Sequence, residues 1–162
     1  MTTRVAPILR NSSSDKWYTP RALLAELGTF DLDPANDDPK NHPTALRHFG
    51  EEEDGLAQDW GGARVWLNPP FSNARPWIEK MIAHGDGIVL VFCRSDAVWF
   101  HKAVCAATAV LMLKGRVEFT RPDGSRSRCP LGCVLLAFGR GNADVLKCSN
   151  LEGVFLKAVQ RG

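Results

Sequence analysis

Val65-Trp66-Leu67-Asn68-Pro69-Pro70-Phe71-Ser72 is the stretch whose reading decides how this chain folds. A β-branched and aromatic apolar run enters it, two consecutive prolines stop it, and from Asn73 to Ala83 the spacing turns helical. The stretch therefore predicts a strand, a rigid loop and a helix, in that order. Pro69 and Pro70 donate no backbone N–H and each fixes φ, so the carbonyls of Asn68 and Pro69 are held in set directions with no ladder to join. With the Asn68 side-chain amide and the Phe71 ring, the loop presents acceptors beside an aromatic face. That combination suits a planar base carrying an exocyclic amine. Taken by themselves, the same residues also fit an apolar strand that ends in an ordinary Pro-Pro turn.

Outward from this loop the chain alternates between strand and helix patterns. Residues 87–93 form an almost unbroken apolar run, as a strand buried on both faces requires; residues 96–107 read as a helix capped by Ser95 or Asp96, and residues 109–113 as another apolar strand. This alternation predicts the α/β class, a parallel sheet covered on both sides. Upstream, Thr19 is the expected N-cap of a short helix with Pro20 at its first position, Leu23, Leu24 and Leu27 as its apolar stripe and Gly28 as its end. Residues 29–32 alternate like a strand and run into Asp33-Pro34. A carboxylate just beyond a strand's carboxyl end lies where open α/β sheets bind ligands, which makes Asp33 a candidate, although Asp-Pro is also a common turn pair. Residues 35–57 read as a long acidic loop with one possible strand at 46–49, and any of Glu51, Glu52, Glu53 and Asp54 could face ribose hydroxyls. Downstream, residues 116–119 and 133–138 are expected to pair as a C-terminal antiparallel hairpin whose connecting loop carries Arg121, Arg126 and Arg128.

Length and composition bound the rest. The 162 residues fit a single domain over 15–162, preceded by a polar, Ser-rich arm over 1–14 that reads as flexible. The chain is 44% hydrophobic and 23% charged, and it contains neither an apolar run of the ~18 residues a membrane span needs nor a signal-peptide core, so a cytoplasmic protein without a membrane partner is expected. Cys93, Cys105, Cys129, Cys133 and Cys148 are odd in number with no Cys-x-x-Cys pair, which fits reduced thiols. A zinc site joining Cys129 and Cys133 to His42 or His48 is conceivable, but the spacing matches no familiar zinc pattern, and no metal is expected. The net charge of +2 is too small to argue for nucleic acid, but its distribution is uneven. Nine of the 18 acidic residues fall between Asp31 and Asp59, while Lys114 to Arg140 holds six basic residues against Glu118 and Asp123. One region suits hydroxyls or a cationic ligand, the other a phosphate backbone; both are also what two solvated faces look like.

The Asn-Pro-Pro-Phe loop resembles the catalytic Asn/Asp/Ser-Pro-Pro-Tyr/Phe motif of amino-methyltransferases. Four further segments, Lys16-Trp17-Tyr18-Thr19-Pro20, Phe30-Asp31-Leu32-Asp33-Pro34, Asp54-Gly55-Leu56 with Asp59-Trp60, and Gly115-Arg116-Val117-Glu118-Phe119, are similar to those of the phage and prophage DNA N6-adenine methyltransferase (Dam) family. The similarity runs from about Asp15 to Gly139. It implies a Rossmann-like S-adenosylmethionine-dependent methyltransferase fold, mostly parallel with a C-terminal antiparallel hairpin, that methylates the N6 amine of adenine in DNA. It also implies a catalytic set of Asn68, Pro69, Pro70 and Phe71 and cofactor contacts from Trp17, Tyr18, Thr19, Pro20, Asp33, Pro34 and Asp59; beside such a site the basic hairpin tip with Arg121, Arg126 and Arg128 is expected to grip a phosphate backbone, although a solvated loop would look the same. Two departures from fuller restriction-type enzymes stand out: there is no glycine-rich cofactor loop, and no segment is long enough to form a separate target-recognition domain. A non-catalytic nucleic-acid-binding module of the same fold, and an amino-methyltransferase acting on RNA or protein glutamine, are the alternatives.

Overall fold

The computed structural model of the protein describes residues 16–157, so the arm expected over 1–14 lies outside the described residues. Strands β1 (Leu32–Asp33), β2 (Arg47–His48), β3 (Val65–Leu67), β4 (Gly87–Phe92), β5 (Ala109–Leu113), β8 (Cys133–Phe138) and β9 (Gly153–Lys157) form one sheet in the order β2-β1-β3-β4-β8-β5-β9. β2, β1, β3 and β4 are mutually parallel, and β8 runs antiparallel to both β4 and β5, so β5 points with the first four. β9 closes the far edge antiparallel to β5. The architecture is thus mixed α/β with a mostly parallel central sheet. A second, two-stranded sheet is formed by β6 (Glu118–Thr120) and β7 (Arg126–Arg128).

Side-chain alternation along the central strands divides the interior into two layers. Trp66, Ile88, Leu90, Leu111, Leu135 and Ala137 face one layer, where helices α1 (Arg21–Leu27) and α4 (Arg140–Cys148) lay down Leu23, Leu27, Ala143 and Leu146. Val65, Leu67, Val89, Val91, Val134 and Leu136 face the other, against Ile78 and Met81 of α2 (Ala74–His84) and Phe100 and Ala103 of α3 (Val98–Ala106). All six residues of β4 and all six of β8 are buried, as strands covered on both faces must be.

Several expectations are corrected here. The strand at 133–138 does not pair with 116–119: it enters the central sheet, and the hairpin is made instead by β6 and β7 around a turn in which Arg121 N–H donates to the Ser125 carbonyl (2.8 Å) and Gly124 takes φ 81°. A run of six apolar residues needs cover on both faces, and the short, half-exposed β6 offers none. Thr19 is not an N-cap; Pro20 occupies that position and its carbonyl receives Leu23 and Leu24 N–H, which frees the threonine hydroxyl for another partner. Neither Ser95 nor Asp96 caps α3, whose N-cap is Ala97, because Asp96 is drawn into a salt bridge with Arg94 (3.0 Å). Helix α4 and strand β9 have no counterpart in the periodicity reading.

Arg64, just before β3, ties the first layer together. Its guanidinium donates to the Leu27 carbonyl (2.9 Å) at the end of α1, to the Thr29 carbonyl (2.6 Å) and to Asn142 Oδ1 (2.7 Å) in α4, and lies 4.2 Å from the Phe30 ring centroid. The buried Asn142 amide in turn donates to the Phe138 carbonyl and to Asp86 Oδ1, both at 2.7 Å. The bond to Leu27 satisfies a carbonyl that the end of α1 leaves orphaned. Arg64→Met, which keeps the stem and removes every donor, is expected to cost about 2–4 kcal/mol of unfolding free energy in urea titrations. A loss under about 1 kcal/mol would show that water replaces the guanidinium at little cost.

Candidate active site

The carboxyl ends of β1 and β3 open into one cleft of about 310 Å³, walled by residues 16–19, by the loop after β1 and by residues 68–72. β3 delivers Asn68 directly to it. The Asn68 Nδ2 donates to the Trp17 carbonyl (2.8 Å) and to Thr19 Oγ1 (3.3 Å). Because a backbone carbonyl can only accept, these partners settle which end of the amide is nitrogen. The other end, Oδ1, is buried and has no partner. Pro69 is buried, and the Pro70 carbonyl is taken by Asn73 N–H (3.0 Å) as residues Phe71–Asn73 turn through a single 3₁₀ turn into α2.

Phe71 sits in an aromatic cluster that the sequence shows only as scattered rings. One of its faces stacks on Phe92 at the end of β4 (centroids 3.7 Å, 25°), and the edges of Phe119 and Trp17 close around it at 6.0 and 6.3 Å. Phe119 belongs to β6 and is fully buried, and Tyr18 bridges Thr120 of the same strand through reciprocal backbone bonds. The hairpin is thereby fastened to the segment that holds Asn68. Arg121 stands over the Trp17 ring (4.6 Å), whereas Arg126 and Arg128 both face Glu118, at 3.4 and 3.9 Å.

The opposite wall is acidic. Asp33 is 3% exposed; its Oδ1 accepts from Ala35 N–H (3.0 Å) and its Oδ2 from the Thr44 hydroxyl. Burial outweighs these two bonds and pushes its pKa up from 3.8 to about 6. Asp37, Asp38 and Glu51 share the cleft, with Lys16 paired to Asp37 at 3.3 Å. Tyr18 donates to Asp38 and stacks on His42 (4.8 Å, 12°); burial, reinforced by the carboxylate, raises the phenol to about 12. The same burial holds the His42 imidazole below its ordinary pKa, and its Nε2 is buried without a partner. Asn36, Thr44 and His42 join this wall without any signal in the sequence beyond membership of a long polar loop: Asn36 Nδ2 donates to the His42 carbonyl (2.8 Å) and to Thr44 Oγ1 (3.0 Å).

Of the candidates expected from sequence, the structure gathers Trp17, Tyr18, Thr19, Asp33, Asn68, Pro69, Pro70 and Phe71 around the cleft. Pro20, Pro34 and Asp59 do not line it. Pro20 starts α1. Pro34 packs on Gly55, where a Cβ would stand 1.9 Å from the Pro34 carbonyl oxygen. Asp59 Oδ1 accepts from Gly61 N–H (2.8 Å) in a turn that leads into β3 from its amino end. Of the acidic run, Glu51 alone among the described residues reaches the cleft, while Glu53 and Asp54 accept backbone N–H groups of Gly50 and Leu56. Cys129 and Cys133 have their sulfurs 3.4 Å apart and buried, but His42 is stacked on Tyr18 and His48 Nε2 accepts from Thr44 and Ala45 N–H (both 3.2 Å), so neither imidazole joins the pair. Among the described residues no three His, Cys, Asp or Glu side chains group as metal ligands, and no helix is long and apolar enough to cross a membrane.

The raised pKa of Asp33 has a consequence for stability. The folded protein retains the proton up to about pH 6 and the unfolded chain only to 3.8, so the stabilisation that this proton confers is complete below 3.8 and is lost as the pH rises through 6. Asp33→Asn, which mimics the protonated form, is expected to be about 1–3 kcal/mol more stable than the parent above pH 6.5, with the difference vanishing towards pH 4. Urea titrations at several pH values between 4 and 8 measure this; a gain independent of pH would contradict it.

Residues 8–138 match the family model described as DNA N-6-adenine-methyltransferase (Dam). Among curated proteins, the chain is 29% identical over 109 residues to a DNA N-6-adenine-methyltransferase of Escherichia phage T1, an overlap of 62% of this chain and 45% of that protein. It is 27% identical over 122 residues to a DNA N-6-adenine-methyltransferase of Haemophilus phage HP1, covering 68% of this chain and 69% of the relative. The matched region thus spans less than half the length of the T1 protein. No solved structure matches the chain. The family match takes in β1, β3 and the Asn68–Phe71 loop, the hairpin and the whole of β8. With most of its length inside that match, the chain belongs to the DNA N-6-adenine-methyltransferase (Dam) family.

Proposed function

We propose that this protein transfers a methyl group from S-adenosylmethionine to the N6 amine of adenine in DNA, on a Rossmann-like methyltransferase fold. The observation that carries this reading is the Asn68 amide, locked through its nitrogen and left with a buried, unpartnered Oδ1 in the cleft. A buried acceptor without a donor costs about 1–3 kcal/mol, and a ligand amine that fills it recovers that cost. The N6 lone pair of adenine is delocalised into the ring, which makes the amine a poor nucleophile. By accepting one N6–H at Asn68 Oδ1 and the other at the Pro69 carbonyl, the loop biases the nitrogen towards sp³ and stabilises the positive charge that develops there. The surplus proton then leaves the methylated amine for solvent. Phe71, backed on one face by Phe92, offers its other face to an unstacked base.

The residues of the acidic wall fit the cofactor. Asp33 is a buried carboxylate with no cationic partner of its own, and a positively charged ligand at its side favours the ionised form. Asp33, Tyr18 and Glu51 are the groups proposed to hold S-adenosylmethionine, which supplies an electrophilic methyl when bound. DNA contacts are assigned to the β6–β7 hairpin, which carries Arg126 and Arg128 with Arg121 in its turn, and to the rim of the cleft. Acting on DNA, the protein would work in the cytoplasm of a bacterial or phage-infected cell.

Incubation with labelled S-adenosylmethionine and unmethylated DNA, followed by nucleoside analysis, tests the reading. N6-methyldeoxyadenosine is the expected product; no label in DNA, with label in RNA or protein glutamine when those are offered in parallel or in none of the three, would overturn it. Asn68→Ala is expected to abolish nearly all transfer while leaving cofactor affinity within a few-fold, since its contact is made with the reacting amine. Replacing Arg121, Arg126 and Arg128 together by Ala should weaken binding to every duplex alike and flatten the plot of log affinity against log salt by up to about three units. Glu118→Gln should steepen the same plot, because Glu118 partly neutralises two of these arginines. An unaltered slope in both variants would remove the hairpin from the DNA surface.

A further inference from the structure

Among the described residues three buried side-chain atoms lack a hydrogen-bond partner, Asn68 Oδ1, Trp66 Nε1 and His42 Nε2, and all three belong to residues of the one cleft. The methyl-transfer reading uses the first. Trp66 is fully buried in the middle of β3, two residues before Asn68, so both side chains leave the same face of the strand. Val65 and Leu67 point into the opposite layer, whereas the Trp66 ring lies at 5.5 Å from Phe30. An indole N–H can only donate. The end of β3 therefore carries a donor and an acceptor on one face of the strand, both buried and both without a partner.

That pair has a chemical complement. On either edge of adenine the N6 amine, a donor, is flanked by a ring nitrogen that accepts: N1 on the Watson–Crick edge, N7 on the Hoogsteen edge. The Watson–Crick edges of guanine and thymine present the reverse order, a carbonyl acceptor beside a ring N–H. At such a site they would set acceptor against acceptor and donor against donor, whereas cytosine, whose N4 amine lies beside the N3 acceptor, matches the pair as adenine does. We propose that Trp66 orients the target base, and excludes guanine and thymine, by donating its indole N–H to the ring nitrogen adjacent to the amine held by Asn68. This inference rests on the adenine-methyltransferase reading above. Trp66 makes no bond to the reacting amine and gains or loses no proton, so its part is to select and orient the base.

Binding of short oligonucleotides by fluorescence anisotropy, with S-adenosylhomocysteine present so that no transfer occurs, tests it. The target adenine is left intact or replaced by 1-deazaadenine or by 7-deazaadenine. Wild-type protein is expected to lose about five- to tenfold in affinity for one analogue and to bind the other as it binds adenine, which identifies the edge that is read. Trp66→Phe is expected to bind all three alike, at the wild-type level for the weakened analogue, with S-adenosylmethionine affinity by calorimetry unchanged within twofold. Equal wild-type affinity for adenine and both analogues would overturn the proposal, as would a penalty that persists in Trp66→Phe. A variant with weakened cofactor binding and unchanged DNA binding would place the acceptor on the cofactor and overturn it too. If Trp66→Phe fails to fold, Trp66→Tyr takes its place in the comparison, and equal wild-type affinity for the three bases still overturns the proposal. Because these readouts need no turnover, absence of methyl transfer from wild-type protein would count against the enzymatic reading separately.

Discussion

The bond from the Asn68 amide to the Trp17 carbonyl is the constraint on which the site depends. It joins the end of a central strand to a segment some fifty residues earlier in the chain (Asn68 to Trp17 is a separation of 51), and its directionality matters more than its strength. A carbonyl accepts only, so the amide nitrogen must face Trp17, and the oxygen is left buried without a partner. Thr19 adds a second acceptor to the nitrogen side, which is why its hydroxyl is missing from the start of α1. Preorganisation of this kind lets an acceptor meet a developing charge without first having to turn towards it.

Around that bond the fold separates two kinds of charge. Acidic groups collect on the wall built by the loop after β1, where Asp33 is desolvated enough to keep its proton up to about pH 6. Basic groups sit on the hairpin, which the buried Phe119 and the Tyr18–Thr120 bridge clamp to the same segment that positions Asn68. A cation and a polyanion can therefore approach one cleft from different sides. The arrangement costs stability on the acidic side, since a buried carboxylate without a counter-charge is tolerated only where function or packing compensates.

Part of what resembles a family motif is architecture. Gly55 lets its loop lie against Pro34, the Trp60 indole donates to the Gly55 carbonyl (2.8 Å), and Asp54 and Asp59 close turns on Leu56 and Gly61 N–H groups. These residues hold the acidic loop over the sheet edge, and Asp59 stands apart from the cleft. A motif match marks residues that matter to a fold and its reaction jointly; burial and hydrogen-bond partners separate the two roles.

The sequence by itself determined the local elements and the nature of the loop at their centre. Strands with continuous apolar runs at β4, β5 and β8, the helix after Asn73, the stop at Pro69-Pro70 and the candidacy of Asn68, Phe71 and Asp33 all follow from side-chain periodicity and backbone chemistry, which act over a few residues. Tertiary structure decided what is non-local. β8 went to the central sheet because only there are both its faces covered, β6 took β7 as its partner, and Phe92 came to back Phe71 because β4 lies beside β3. The unmet polar atoms of Trp66 and His42 were equally invisible in the sequence, where each residue reads as one more core ring or loop imidazole. Whether a polar atom is satisfied depends on partners brought from distant parts of the chain, and spacing along the sequence carries no record of them.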